Sequence, residues 1–106
     1  MGDALNSTGE FDIGGIDDVI HGRIRLGIMA YLSSVESADF AELKAKLQTT
    51  DGNLSVHLRK LEDAGFVQVE KTFVGRKPLT RAQLTADGRE AFIAYLDQIS
   101  ALVAMR

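Results

Sequence analysis

Apolar residues along this chain recur first at helical spacing, then in alternation, then at helical spacing again. From about residue 16 to residue 34, Ile16, Ile20, Ile24 and Ile28 step by four, and Val19, Leu26, Met29, Tyr31 and Leu32 widen the arc. That period predicts one long helix, with Asp17 and Asp18 at its positively polarised end. Gly22 and Gly27 each cost a helix interior about 1 kcal/mol relative to alanine, so close helix packing is the expected reason for them. Asp39 predicts an N-cap with Glu42 three residues on, as in a capping box, and Phe40, Leu43 and Leu47 supply the buried stripe of a short second helix. Gln48, Thr49 and Thr50 form a turn, and Thr50 or Asp51 caps a third helix. Its Leu54, Leu58 and Leu61 fall at i, i+4 and i+7 on one face, and Gly65 is placed to end it in the left-handed conformation.

After Gly65 the pattern alternates. Residues 66–73 and 79–84 read as two strands, and Val67, Val69 and Phe73 share one parity, which predicts a half-buried ribbon. Between them lie Gly75, Arg76, Lys77 and Pro78, the only proline of the chain, which an edge ribbon tolerates. Thr85 opens a last helix with Asp87 in its first turn; Phe92, Leu96, Ile99 and Val103 form its stripe, widened by Ile93, Tyr95 and Leu102. The fold class expected is mainly α with a β-hairpin (α+β). Residues 1–15, rich in Gly, Asp, Asn, Ser and Thr without a sustained period, read as a flexible arm, and residues 16–106 as one domain.

Composition narrows the chemistry. At 106 residues the chain supports a single core. It has no cysteine, which excludes disulfides, thiolate metal sites and a thiol redox switch. Its histidines, His21 and His57, sit on different predicted helices and belong to no short-range ligand motif. Neither a supported nucleophile and base pair nor a phosphate-cradling glycine loop stands out, so catalysis is not expected and no cofactor or metal is called for. No apolar run is long enough to span a membrane and no leader pattern opens the chain, so the cytoplasm is the expected location.

The net charge is −3, but it is unevenly spread. Between residues 53 and 84, Arg59, Lys60, Lys71, Arg76, Lys77 and Arg81 outnumber Glu62, Asp63 and Glu70. Residues 1–18 carry Asp3, Glu10, Asp12, Asp17 and Asp18 and no cation. The acidity is concentrated away from the third helix and the ribbon, where a polyanion would have to bind.

The stretches DDVIHGRIRLGIMAYL, TTDGNLSVHLRKLEDAGFV, VGRKP and LTADGREAF, in this order and spacing, resemble the small stand-alone winged helix-turn-helix transcriptional regulators related to the ArsR and MarR groups. The resemblance covers nearly the whole chain after the arm. It implies a dimeric DNA-binding protein whose first and last helices form the dimer interface. It places Asn53, Ser55, His57 and Arg59 in the recognition-helix motif and Arg76 and Lys77 at the wing tip. Val56 stands where many such proteins carry a polar or basic residue, and the cysteine ligands of metal-sensing relatives are missing.

The residues themselves point the same way. Opposite the leucine stripe lie Asn53, Val56, Arg59, Lys60 and Asp63, the face to place in a DNA major groove, with Arg76 and Lys77 on flanking phosphates or the minor groove. Asn53 and Ser55 have a second reading as helix caps, and His57 a second reading as a residue packed against the first helix. The apolar arc of the first helix is wider than one face and a terminal helix this apolar exceeds what so small a domain covers, so Ile20 and Ile24 of the first and Phe92, Leu96, Ile99 and Val103 of the last are the expected homodimer contacts. The function expected is sequence-specific binding of double-stranded DNA by a homodimeric transcriptional regulator, acting as a repressor. A small-molecule effector or a protein partner stays open as the route of regulation. The alternative is a winged helix serving as a protein-interaction module.

Overall fold

A computed structural model describes residues 13–104 of the chain. Most of the segment read as an arm lies outside them; its last three residues, Ile13–Gly15, form a 3-10 turn. Four helices follow, α1 (Arg23–Ser34), α2 (Phe40–Leu47), α3 (Asp51–Asp63) and α4 (Ala86–Ala104), with strands β1 (Ala38–Asp39), β2 (Val67–Val74) and β3 (Lys77–Leu84). The strands make an antiparallel sheet in the order β1-β3-β2. This is a winged helix of the α+β class, as the element order predicts.

The first helix begins seven residues later than its isoleucine period suggests, at Arg23 rather than Ile16. Gly22 has φ +141°, a conformation no helix contains. Upstream, the Asp17 carboxylate accepts from the backbone of Val19 (2.8 Å) and Ile20 (3.2 Å) and closes a separate turn. Asp17 therefore caps that turn rather than the helix. Ile20 is still fully buried, because the turn drops it into the same core as Ile24 and Ile28.

Two glycines record how closely the helices approach. A Cβ at Gly27 would lie 2.6 Å from Leu47 Cδ2, so α1 and α2 meet closely there and an added side chain would have to move the end of Leu47. At Gly88 the added carbon would lie 2.0 Å from the Phe66 carbonyl oxygen, which seats the first turn of α4 on the chain just after α3. Thr85 fixes that junction. Its hydroxyl donates to the Gly65 carbonyl (2.6 Å) and accepts from Gly88 N–H (2.9 Å), and its own N–H reaches the Phe66 carbonyl (3.0 Å).

Asp39 caps α2 through Glu42 N–H (2.8 Å). The reciprocal half of the capping box is absent, because the Glu42 carboxylate accepts from the Tyr31 hydroxyl instead. That bond holds the Tyr31 phenol above its ordinary pKa. The two-residue strand β1 was not legible in the sequence; it pairs Ala38 with Ala82 and Asp39 with Arg81 and closes the sheet over the core.

The ribbon departs from expectation at its outer half. Val67 and Ala82 are buried and Val69 is half-buried, but Phe73 is 69% exposed and Val74 63%. Phe73 shares the parity of Val67 and Val69, yet the hairpin has left the body by the time it is reached. Parity assigns a face; burial also needs something opposite that face.

Candidate nucleic-acid interface

The third helix is built to show one face. Leu54, Leu58 and Leu61 are buried, while Asn53, Ser55, Val56, Arg59, Lys60 and Asp63 are exposed. Gln48, with φ +52°, turns the chain between α2 and α3. The Thr50 hydroxyl oxygen then caps α3 by accepting from Asn53 N–H (3.2 Å). The cap is thus supplied by Thr50, and the Asn53 side chain stands on the exposed face. At the other end, Phe66 N–H to Leu61 O (3.0 Å) and Gly65 N–H to Glu62 O (2.9 Å) close the helix around Gly65 at φ +82°. These are the two bonds of a Schellman motif.

Between α3 and the ribbon runs an open groove of about 450 Å³. Ser55, Val56, Leu58, Arg59 and the acidic Glu62 line it from α3, Phe40 from α2, Val69 and Lys71 from β2, and Thr80 from β3. Cross-strand register puts Val69 opposite Ala82, Lys71 opposite Thr80 and Phe73 opposite Pro78. Directly paired residues share a face, so the ribbon face that lines the groove continues outward to Phe73 and Pro78. Gly75 has φ +64° while Arg76 does not have a positive φ, the pattern of a two-residue II′ hairpin turn. Arg76 and Lys77 are exposed at that turn, one ribbon length from the body.

The structure brings Arg59 of α3 and Lys71 of the ribbon to one groove, while Lys60 is exposed on α3 outside its lining. It leaves Arg76 and Lys77 at the far end of the wing. Lys71 is not among the site residues the sequence points to; its shared parity with Val69 is the signal that puts it on the ribbon face lining the groove.

His57 is half-buried rather than displayed. Its Nδ1 lies 3.0 Å from Arg25 Nη1, and since a guanidinium only donates, Nδ1 accepts and the ring proton sits on Nε2. Burial, followed by the charges of Arg25 and Lys60, lowers the His57 pKa below its ordinary 6.5. Arg25 also donates through Nε to the Val19 carbonyl (2.6 Å), tying the turn before α1 to α3. Its Nη2 reaches the Asp18 carbonyl as well (3.5 Å), and nothing local marks Arg25 in the sequence, because all three of its partners are set by the fold.

The expected dimer contacts divide. Ile20, Ile24 and Phe92 are at most 8% exposed within the single chain, so their surface is spent on its own core and they are corrected to core residues. Leu96 and Val103 are exposed, with Ile93 beside them, and Ile99 is half-buried. The apolar face that α4 turns outward is therefore narrower than the stripe read from the sequence. At its inner side Tyr95 is buried, with its hydroxyl 2.9 Å from His21 Nδ1. Among the described residues no cluster of His, Asp or Glu is placed to hold a metal ion, and no helix is long and apolar enough to cross a membrane.

A capped helix with one polar face, preceded by a short helix and turn and followed by a basic β-hairpin, defines a winged-helix protein. Residues 24–103 match the winged helix DNA-binding domain family, and the chain belongs to it. An uncharacterized protein of Methanocaldococcus jannaschii is 42% identical over 76 residues, which are 72% of this chain and 83% of that one. Among solved structures, a transcriptional regulator homologue from Pyrococcus horikoshii superposes with a TM-score of 0.78 at 28% identity, covering 98% of this chain and 96% of its own. The M. tuberculosis transcriptional regulator MOSR, solved in complex with DNA, shares the fold with a TM-score of 0.63 at 20% identity, over 97% of this chain and 71% of its own.

Proposed function

We propose that this chain is a homodimeric, sequence-specific DNA-binding transcriptional regulator that represses by occupying its site. The observation that carries the reading is the exposed face of α3 opening onto the same groove as the basic ribbon, with Arg59 and Lys71 on its two walls. In this reading Asn53, Ser55, Val56, Arg59 and Lys60 face the major groove. His57 contributes at its edge through Nε2, and Arg76 and Lys77 hold the flanking backbone or minor groove. The family match and the DNA-bound relative support it. The exposed Ile93, Leu96 and Val103 on α4, with Ile99 beside them, supply the contact to a second copy. Two-fold symmetry then sets two α3 helices about 34 Å apart, one turn of DNA.

The test is fluorescence anisotropy of labelled duplexes from the source genome's upstream regions, titrated at several salt concentrations. Wild-type binding should weaken steeply with salt, and the Arg76→Ala/Lys77→Ala variant, which removes two cations from each protomer of the bound dimer, should flatten the log–log slope by about four. An unchanged slope would remove the wing from the contact. Failure of a folded, dimeric protein to bind at low salt would favour the protein-interaction module. Sedimentation of Leu96→Glu beside wild type checks the dimer, which the added charge should dissociate.

A further inference from the structure

The ribbon tip carries apolar surface that neither the core nor a charge-based account of the wing uses. Phe73 is 69% exposed although it sits in a strand and lies opposite Pro78 on the face that lines the α3 groove. A phenyl ring in water at the end of a hairpin buries no area in its own core, and threonine would hold a strand as well. Cations surround it: Lys71 two residues before on the same face, and Arg76 and Lys77 at the turn. A patch that is apolar at its centre and basic around it fits a surface that is itself anionic outside and apolar between its layers. Stacked base pairs flanked by phosphates have that character.

We propose that Phe73, backed by Pro78, is an apolar wedge that enters the minor groove beside the segment read by α3 and partly unstacks one base step. This rests on the DNA-binding reading above. The continuity of the groove supports the placement, since the face that carries Val69 and Lys71 past Ser55 and Arg59 is the face that ends in Phe73 and Pro78. Pro78 fixes its own φ and stiffens the pair directly across from Phe73, so the ring is held on a ribbon rather than on a free loop. The wedge makes the protein sensitive to how easily a step deforms. Flexible pyrimidine–purine steps such as TA are preferred there, at a position where no hydrogen bond reads the bases. Phe73 is in this sense a specificity-determining residue, and the cations around it contribute affinity without sequence preference.

Duplexes selected by the full-length protein from a randomised pool are resynthesised with 2-aminopurine at successive positions, and its fluorescence is followed on binding. Wild type should brighten the probe at one step flanking each α3 contact. Phe73→Ala should abolish the brightening and weaken binding about tenfold while leaving the salt slope unchanged. Phe73→Leu, still an apolar wedge, should keep both brightening and most of the affinity. Arg76→Ala should lower the slope and keep the brightening. Tight wild-type binding with no brightened step, or with Phe73→Ala indistinguishable from wild type, would overturn the wedge and leave DNA binding intact. Dissociation of the DNA-free dimer by Phe73→Ala would assign the ring to a protein contact and overturn it too. No duplex selected by folded wild type would overturn the wedge together with the reading it rests on.

Discussion

The two ends of the β2–β3 ribbon are made by the same alternation and meet opposite fates. At the inner end Val67 pairs with Leu84 and Val69 with Ala82, and their shared face closes on the leucine stripe of α3. At the outer end Phe73 pairs with Pro78 in the same register and on the same face, and its ring stands in solvent. Hydrogen bonding and parity run unchanged along the ribbon; what stops is the body beneath it. The inner half is thereby committed to stability. The outer half is free to meet a partner, and substitutions there are expected to separate binding from folding in a way that substitutions near α3 cannot.

The largest test of that division lies at the inner end, where α4 is seated. Gly88→Ala places a carbon 2.0 Å from the Phe66 carbonyl, so the helix must shift, and a loss of about 3 kcal/mol or more in urea unfolding is expected. A loss below about 1 kcal/mol would mean that the junction yields readily and that the inner end is softer than its contacts suggest.

Next comes a matched pair along one strand. Val67→Ala removes buried methyl groups and should cost about 1–2 kcal/mol, whereas Phe73→Ala, though it deletes a larger side chain, should stay within about 0.5 kcal/mol of wild type. Equal losses would show that the outer half is packed in solution and would undo the comparison. Because Phe73→Ala is expected to fold normally, its effect on DNA reports contact rather than damage.

The smallest effect concerns His57, between the two halves in character. Its folded pKa lies below 6.5 through burial and through the neighbouring Arg25 and Lys60. The unfolded chain therefore takes up a proton first as pH falls. The stability contribution is whole above about 6.5 and declines on acidification from there toward the lower folded pKa. His57→Gln should shallow the decline of the urea midpoint in that window, and an identical profile would show that the burial of His57 beside Arg25 and Lys60 does not govern it.

Much of this was legible from residue order. The Asp39 and Thr50 caps, the Gly65 stop, the leucine stripe of α3 and the opening of α4 at Thr85 are all local signals, and each is found where the pattern puts it. So is the exposed face of α3, because a stripe at 3.6 residues per turn defines its own opposite side. The candidate dimer residues were less legible. Ile20, Ile24 and Phe92 look the same in a sequence whether they face a neighbouring helix of the same chain or a second copy.

By itself the sequence determined the elements, their caps and turns, the winged-helix order and the uneven charge, since these depend on neighbours within about one turn or one strand pair. The tertiary structure alone decided that Gly22 splits the first helical period and that β1 joins the sheet. It also decided that Arg25 reaches His57 across 32 positions, and that the ribbon outruns its core so that Phe73 is left in water. The reason is the same in each case. Local periodicity says which side of an element is apolar, but only the path of the whole chain says whether anything lies against that side.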